Sequence, residues 1–146
     1  MQALVIVQFQ KELYNQLLGH SLQKFPEEAC GLILGEPSPS IKDILAARTF
    51  VPIQNISHNP RNHFELNPIE MIPFLTDRHN PVIGLFHSHP SAPAIPSEID
   101  LQTLWHTIPT YWILSLQHTN KPELHLYQIK NATPTGYHKL RFVIGQ

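Results

Sequence analysis

The chain has 146 residues, of which 42% are hydrophobic and 14% are charged; this length suits one domain, residues 1–146, and the low charge argues against disorder. Lys and Arg number 10 against 11 Asp and Glu, and no basic run stands out, which argues against nucleic acid as a partner. The one cysteine, Cys30, excludes an internal disulfide and any zinc site with two cysteine ligands from this chain.

The N-terminal run MQALVIVQF is apolar but too short to span a membrane, and neither a basic region nor a small-residue cleavage site accompanies it. We therefore expect a cytoplasmic protein with no membrane partner. Two counts are unusual, because the chain contains 14 prolines and 10 histidines. So many histidines make metal or proton chemistry the first possibility to examine.

The first half of the chain predicts a strand, a helix and two more strands. Residues 3–9 favour a strand, and an apolar stripe at helical spacing follows and ends before Pro26. The stripe consists of Tyr14, Leu17, Leu18, Leu22 and Phe25. Ala29–Gly35 is a short apolar run typical of a buried strand, and residues 43–53 predict its neighbour. Glu28 thus lies at a strand entrance, and residues 54–66 are predicted to form a loop.

A second helix is predicted from Asn67 to about Arg78. Asn67 suits the N-cap, Pro68 suits the first helical position, and Glu70 is placed to return a hydrogen bond to the cap. Pro73 should bend or shorten this helix, because proline lacks a backbone donor.

The remaining elements continue the alternation of strands and helices. Val82–Phe86 predicts a buried strand that ends on His87, and Pro96 begins a helix that runs through Trp105. Residues 111–116, 124–129 and 137–144 predict three closing strands. The order β-α-β-β-α-β-α-β-β-β indicates an α/β protein with a mixed sheet flanked by helices.

The sequence His87-Ser88-His89-Pro90 is the first feature that points to chemistry. Side chains two residues apart on an extended backbone share a face, so both imidazoles can bind one metal ion. Ten histidines in this length produce roughly 0.7 such pairs by chance. The pair alone therefore carries little weight.

Two carboxylates complete the pattern. Asp100 lies eleven residues after His89, and a loop leading into a helix could return it to the strand edge as a third ligand. Three protein ligands with an open fourth position are typical of catalytic zinc, which lowers the pKa of bound water to about 7. Such a water needs a nearby carboxylate to take its proton and pass it to the leaving amine. Glu28, ahead of an adjacent strand, is the candidate.

These residues together resemble a known family. His87-x-His89-Pro90, followed after six residues by Ser97 and two residues later by Asp100, and preceded by Glu28 in PEEACGLILG, is similar to the motif of the JAMM (MPN+) zinc metalloproteases, which include metal-dependent deubiquitinases. Every motif position is filled. For this composition the His-x-His-Pro, Ser and Asp offsets alone are expected by chance about once in ten thousand sequences.

The resemblance implies a three-layer α/β/α fold of the cytidine-deaminase-like kind. It also implies that His87, His89 and Asp100 bind Zn²⁺, that Glu28 holds and deprotonates the water, and that Ser97 donates a hydrogen bond to the developing oxyanion. The short chain looks like the small bacterial members. Their implied substrates are ubiquitin-like sulfur carrier proteins of the ThiS or MoaD kind, cut after the C-terminal Gly-Gly.

Simpler explanations exist for some of these residues. Ser97 and Asp100 also form the S-x-x-D pattern of a capping box, which needs no metal, and both roles can coexist. Glu27 competes with Glu28 for the catalytic role, but the family pattern places the acid two residues before Cys30. Cys30, inside an apolar strand, is interpreted as a core residue.

Other histidines and aromatic residues have less specific roles. Eight histidines show no ligand spacing, although His58 and His63 lie in a loop that could border the site. Trp105, Tyr111 and Trp112 are expected to pack in the core, and an exposed Trp105 could instead contact a substrate tail.

Four other functions compete with this interpretation. A catalytically silent MPN scaffold typically lacks metal ligands, whereas this chain retains them all, and a peptidase for small peptides stays open. A zinc deaminase would need H-x-E and P-C-x-x-C signatures, which one cysteine cannot supply. A (β/α)₈ metallohydrolase typically needs about 250 residues.

Overall fold

The computed structural model describes residues 5–102, 107–130 and 136–145. The elements of these residues, in chain order, are β1 (Ile6–Gln10), α1 (Lys11–Lys24), β2 (Cys30–Pro37), β3 (Ile44–Ile53), α2 (Pro68–Leu75), β4 (Val82–His89), α3 (Glu98–Gln102), β5 (Thr110–Ser115), β6 (Glu123–Lys130), β7 (Gly136–Leu140) and β8 (Phe142–Gly145). The strands form one mixed sheet in the order β7-β6-β5-β4-β2-β3-β1-β8. The α/β class predicted from the sequence is confirmed.

The prediction of a single strand over residues 137–144 is wrong. β7 pairs antiparallel with β6, whereas β8 pairs parallel with β1 at the opposite edge of the sheet. Only Arg141 separates β7 from β8, so the sheet must curl until its two edges approach each other. The run YHKLRFVI carries strand-forming residues on both sides of the break, so its pattern gives no sign of a division.

Apolar side chains fill both faces of the sheet. Leu13 and Leu17 of α1 pack in one cluster with Ile33 of β2, while Met71 of α2 packs in a second cluster with Leu32. Successive residues of β2 therefore face opposite clusters, as strand geometry requires. With a helix on each side, the sheet is the middle of three layers, as the family resemblance implies.

The buried stripe of α1 differs from the predicted one. Leu13, Leu17 and Ser21 are buried, whereas Leu22 is 55% exposed. At 3.6 residues per turn, Leu22 points about 140° away from Leu17. The helix also ends at Lys24, which leaves Phe25 outside it and half exposed.

The N-terminus of α2 is capped as predicted, but its acidic residue acts differently. The Asn67 side chain accepts a hydrogen bond from the Ile69 N–H at 3.1 Å. Glu70 does not return a bond to the cap backbone; it accepts instead from the Gln54 N–H and from the Asn67 side-chain amide. The helix ends at Leu75 rather than near Arg78, which fits the expected effect of an internal proline.

The described part of α3 begins at Glu98, while residues 103–106, including Trp105, lie outside the described residues. The predicted loop 54–66 contains neither helix nor strand, apart from one isolated bridge between Asn55 and Leu66. Within the described ranges, no helix has both the length and the apolar character needed to cross a bilayer.

Candidate metal centre

His89 is the last residue of β4, and His87 lies two residues before it. This strand runs between β2 and β5 in the middle of the sheet. Strand β4 continues through His89 rather than ending at His87, so both side chains project from the same face of one strand. Both are buried, and their Nε2 atoms are 3.0 Å apart. The proximity predicted from the H-x-H spacing is therefore present.

Asp100 brings a carboxylate oxygen to the same point. Its Oδ2 lies 3.3 Å from His87 Nε2 and 3.1 Å from His89 Nε2. The Ser97 N–H donates to the same oxygen at 2.9 Å, and the Asp100 N–H donates to Ser97 Oγ at 3.0 Å. The capping box is thus formed, and the same aspartate also faces the histidines. We refer to His87, His89 and Asp100 as the candidate metal centre.

The spacing of these three atoms fits a small cation. Four-coordinate zinc with bonds of about 2.0–2.2 Å holds its ligand atoms about 3.3–3.6 Å apart, slightly more than the 3.0–3.3 Å found here. His89 Nδ1 lies 2.8 Å from the Pro93 carbonyl oxygen, to which it can only donate, so in the neutral ring Nε2 carries a lone pair. Two imidazole nitrogens and one carboxylate oxygen are also a donor set that zinc favours.

The charges in the centre are set by burial and by these contacts. Burial lowers the pKa of His87. Burial also opposes a charge on His89, but its bonds to Asp100 and Pro93 outweigh this effect and raise its pKa. Burial likewise opposes ionisation of Asp100, yet the two histidines hold its pKa well below the ordinary range. The centre therefore keeps an anionic carboxylate.

Glu28 lies two residues before the first residue of β2, Cys30, and is only 6% exposed. The ligand atoms of Glu28, His87 and His89 lie within 4.8 Å of one another, so this buried group could hold a metal ion. Burial raises the pKa of Glu28 to about 8, although His89 opposes the shift. Among the described residues its Oε1 has no hydrogen-bond partner.

Asp100 lies in closer contact with the two histidines than Glu28 does. Asp100 Oδ2 contacts both imidazole nitrogens at 3.1–3.3 Å, whereas Glu28 forms no ion pair with either histidine among the described residues.

The backbone of Glu28 is held by groups that the sequence analysis did not single out. The Glu28 N–H donates to the Pro60 carbonyl at 2.7 Å, and the Asn55 side-chain amide donates to the Glu28 carbonyl at 3.0 Å. Ser88, between the two histidines, is buried, and its hydroxyl accepts from the Ala29 N–H at 2.8 Å. These contacts join segments far apart in sequence, which is why no local pattern reveals them.

Aromatic rings pack around the centre. The Phe64 ring stacks on His87 with centroids 4.4 Å apart, and the Tyr111 ring lies 5.4 Å from His87. Tyr111 is buried, and so is Trp112, as predicted for core residues. His63 is half-buried and close enough to help lower the pKa of His87, so it borders the centre.

Cys30 and Glu27 have surroundings that differ from those of Glu28. Cys30 is fully buried, donates to the Ile53 carbonyl, and has a pKa raised by burial to about 12, which confirms a core role. Glu27 is exposed, as is His58. Beside Glu28, a cavity of about 360 Å³ opens between the end of α1 and the adjoining ends of β2 and β3.

Two buried histidines and two buried carboxylates thus lie together at one end of a curled mixed sheet. Residues 10–130 match the family model described as prokaryotic homologs of the JAB domain, and the chain belongs to this family. The resemblance to the JAMM metalloproteases inferred from the motif is thereby confirmed.

Several characterised proteins are similar to this chain. The CysO-cysteine peptidase of Mycobacterium tuberculosis is 24% identical over 127 residues, which cover 85% of this chain and 83% of that protein. The desampylase of Haloferax volcanii is 31% identical over 78 residues, or 51% of this chain and 52% of that protein. The match to tail tip assembly protein K of Escherichia phage N15, 27% identical, covers 59% of this chain but only 31% of that protein.

This chain spans less than two thirds of the length of two of these relatives, the phage tail protein and the Haloferax desampylase. Among solved structures, a protein of Desulfitobacterium hafniense is 28% identical, covers 97% of this chain and 94% of its own, and superposes with a TM-score of 0.82. A Salinibacter ruber protein, 24% identical over 95% of this chain and 92% of its own, shares the fold with a TM-score of 0.68.

Proposed function

We propose that this chain is a zinc-dependent peptidase that hydrolyses an amide bond after the C-terminal Gly-Gly of a ubiquitin-like protein of the sulfur carrier type. The observation that carries the proposal is the convergence of His87 Nε2, His89 Nε2 and Asp100 Oδ2 at 3.0–3.3 Å, with Glu28 beside them. The relatives that are named as a desampylase and as a CysO-cysteine peptidase support a hydrolytic role.

In this proposal, His87, His89 and Asp100 hold the zinc ion. When bound, zinc supplies Lewis acidity, which polarises the substrate carbonyl and makes a water molecule more acidic. The donor set is complete without Glu28, which leaves this carboxylate free for proton transfer. The Asp100 pKa, already low, keeps that ligand ionised at neutral pH.

Glu28 carries the proton in this reaction. Its carboxylate takes a proton from the attacking water and delivers it to the amine that leaves when the C–N bond breaks. In the metal-free chain burial raises the pKa of Glu28 to about 8, and a zinc ion bound beside it would lower that pKa toward the ionised form that accepts the proton from water.

Ser97 stabilises the negative charge that develops on the carbonyl oxygen. Its Oγ accepts a hydrogen bond from the Asp100 N–H, so its own hydroxyl hydrogen is available to the substrate. Ser97 is exposed and can therefore be reached by a substrate. A single donor of this kind contributes about 10²–10³ in kcat.

Substitution of the two adjacent glutamates tests the catalytic assignment. We expect Glu28→Ala to lower hydrolysis by about 10³-fold, because general acid/base catalysis is lost, while about one zinc per chain stays bound. Glu27→Ala is the matched control, since Glu27 is exposed, and it should retain activity. Zinc content is measured by elemental analysis and hydrolysis by mass spectrometry. Full activity of Glu28→Ala would overturn the assignment.

A further inference from the structure

We infer that Asn55 is a positioning residue that fixes the backbone of Glu28 and thereby places its carboxylate beside the candidate metal centre. The catalytic part of this inference rests on the proposed function. Asn55 follows β3 directly after Gln54 and is partly buried. No ligand role is assigned to it, and it acts only through its contacts with the backbone.

The Asn55 side chain makes four hydrogen bonds to the backbone. Its Nδ2 group donates to the Glu28 carbonyl at 3.0 Å and to the His63 carbonyl at 3.1 Å. Its Oδ1 accepts from the Ser57 N–H and the Glu65 N–H, each at 3.0 Å. One side chain therefore ties the loop after β3 to the segment that precedes β2.

Only an amide side chain of this length supplies this pattern. An asparagine has two N–H donors and one oxygen that can accept twice, and all four capacities are used. Aspartate at this position could still accept from Ser57 and Glu65, but it could donate to neither carbonyl. The donor half of Asn55 therefore holds Glu28, whereas the acceptor half organises the loop.

The placement of the Glu28 carboxylate depends strongly on this backbone support. Its Oε1 has no partner among the described residues, so hydrogen bonds at that atom do not fix the side chain. The support comes instead from the peptide groups on either side of Glu28. The Glu28 N–H donates to the Pro60 carbonyl, and the Glu28 carbonyl accepts from the Asn55 side chain. The Ala29 N–H donates to the Ser88 hydroxyl. Pro60 belongs to the loop that Asn55 organises, so loss of Asn55 weakens two of these supports.

The test compares Asn55→Asp with Asn62→Asp in the zinc-loaded full chain. Asn62 is exposed on the same loop, and among the described residues its side chain bonds to that of Asn59 alone, which makes it a matched control. Asn55→Ala removes all four bonds without adding a charge and serves if the aspartate variant does not fold. The readouts are amide hydrogen exchange at Glu28 and Ala29, zinc content, kcat and KM, all well below the melting temperature of each variant.

We expect the Glu28 amide to exchange about tenfold faster or more in Asn55→Asp than in Asn62→Asp, because local opening becomes easier. We also expect kcat to fall by about 10–100-fold, the range typical of residues that orient a metal site's functional groups, with KM and zinc content unchanged. If Asn55 only stabilised the fold, its substitution would not lower kcat while leaving KM and zinc content unchanged.

The outcomes separate this inference from the proposed function. If the wild-type protein hydrolyses no carrier, the proposed function fails, and the exchange rate of the Glu28 amide alone decides the positioning role. If the wild-type protein is active and Asn55→Asp keeps both kcat and amide protection within twofold, the inference is wrong while the proposed function stands.

Discussion

Glu28 and Glu27 are neighbours in sequence, yet only one of them has the surroundings of a proton-transfer group. Glu28 is buried, and its pKa is raised to about 8 by that burial, whereas Glu27 is exposed. The difference arises because Glu28 lies closer to the central strand β2, which begins two residues later at Cys30, and its backbone is bonded to Pro60 and Asn55. At the scale of single residues, environment rather than residue type distinguishes the two.

The raised pKa of Glu28 predicts how the stability of the metal-free protein depends on pH. In the unfolded chain this carboxyl ionises near 4.5, and in the folded chain near 8. The folded state thus holds this proton more tightly, so the contribution of Glu28 to stability is greatest below pH 4.5 and falls as pH rises toward 8, by at most about 1.4 kcal/mol per unit.

Glu28→Gln should remove this dependence, because glutamine does not titrate. Urea unfolding in the presence of a chelator, from pH 5 to pH 8, measures the difference between wild type and variant. We expect the variant to become progressively the more stable of the two as pH rises. A difference that stays constant across this range would show that Glu28 is not buried as a neutral acid in the metal-free fold.

Ser97 has two roles that one substitution can separate. Ser97→Ala removes the hydroxyl that caps α3 at the Asp100 N–H, which should cost about 1 kcal/mol of stability, and it also removes the proposed oxyanion donor. With zinc in excess, we expect kcat to fall by about 100-fold, while Ser97→Thr, which keeps the hydroxyl, restores most of the activity. Steady-state kinetics of both variants provide the measurement. Unchanged kcat in Ser97→Ala would leave the serine as a helix cap alone.

The residues at this site differ in how far the sequence predicts them. His87, His89, Ser97 and Asp100 occur at fixed local offsets, so a motif can locate them together, and the structure places them in mutual contact. Asn55 contacts Glu28 across 27 positions of the chain. No spacing rule predicts such a contact, because it depends on how β2 and β3 pair.

At the scale of elements, Gly84 of β4 shows how tightly the strand that carries the histidines is packed. A Cβ atom at this position would lie 2.6 Å from Trp112 Nε1 and 2.8 Å from Thr110 Oγ1. Those two groups are themselves bonded: the Trp112 N–H donates to Thr110 Oγ1, which donates to the Ile83 carbonyl. The neighbours of Gly84 therefore cannot move without breaking buried hydrogen bonds.

Gly84→Ala should lower the free energy of unfolding by about 1–3 kcal/mol, because the added methyl group overpacks the core. Gly19→Ala is the control in α1, where a Cβ atom meets nothing within 4 Å. It should raise the free energy of unfolding by about 0.5–1 kcal/mol, since alanine favours the helix. Chemical denaturation of both variants provides the comparison. Equal effects in the two variants would contradict this account of β4.

The sequence predicts the order of elements well and their ends less well. The second helix begins at Pro68 as expected, because the cap and the proline are local signals, but it ends before Arg78. The last predicted strand divides at Arg141, and this division depends on partners at opposite edges of the sheet. Local sequence patterns indicate which segments can form strands, whereas the pairing of strands in the sheet determines where each strand ends.

At the scale of the whole molecule, the curled sheet explains why the candidate metal centre is well supported. His87 and His89 lie on β4, which is flanked by β2 and β5, so the strand that carries them has hydrogen-bonded neighbours on both sides. β2 also carries the segment that follows Glu28. The Glu28 carboxylate and the two histidines are therefore held by adjacent strands of one sheet. The predicted elements are compatible with this arrangement, but they do not predict that β2 and β4 are neighbours.

Incubation of the zinc-loaded protein with a sulfur carrier protein that bears extra residues after its Gly-Gly, followed by mass spectrometry, tests metal-dependent peptidase activity most directly. We expect the mass of the carrier to fall to that of the form ending in Gly-Gly, and we expect a chelator to prevent this change and added zinc to restore it. Cleavage that continues at the same rate with the chelator present and zinc removed, or no cleavage of any of several carriers, would contradict the proposed function.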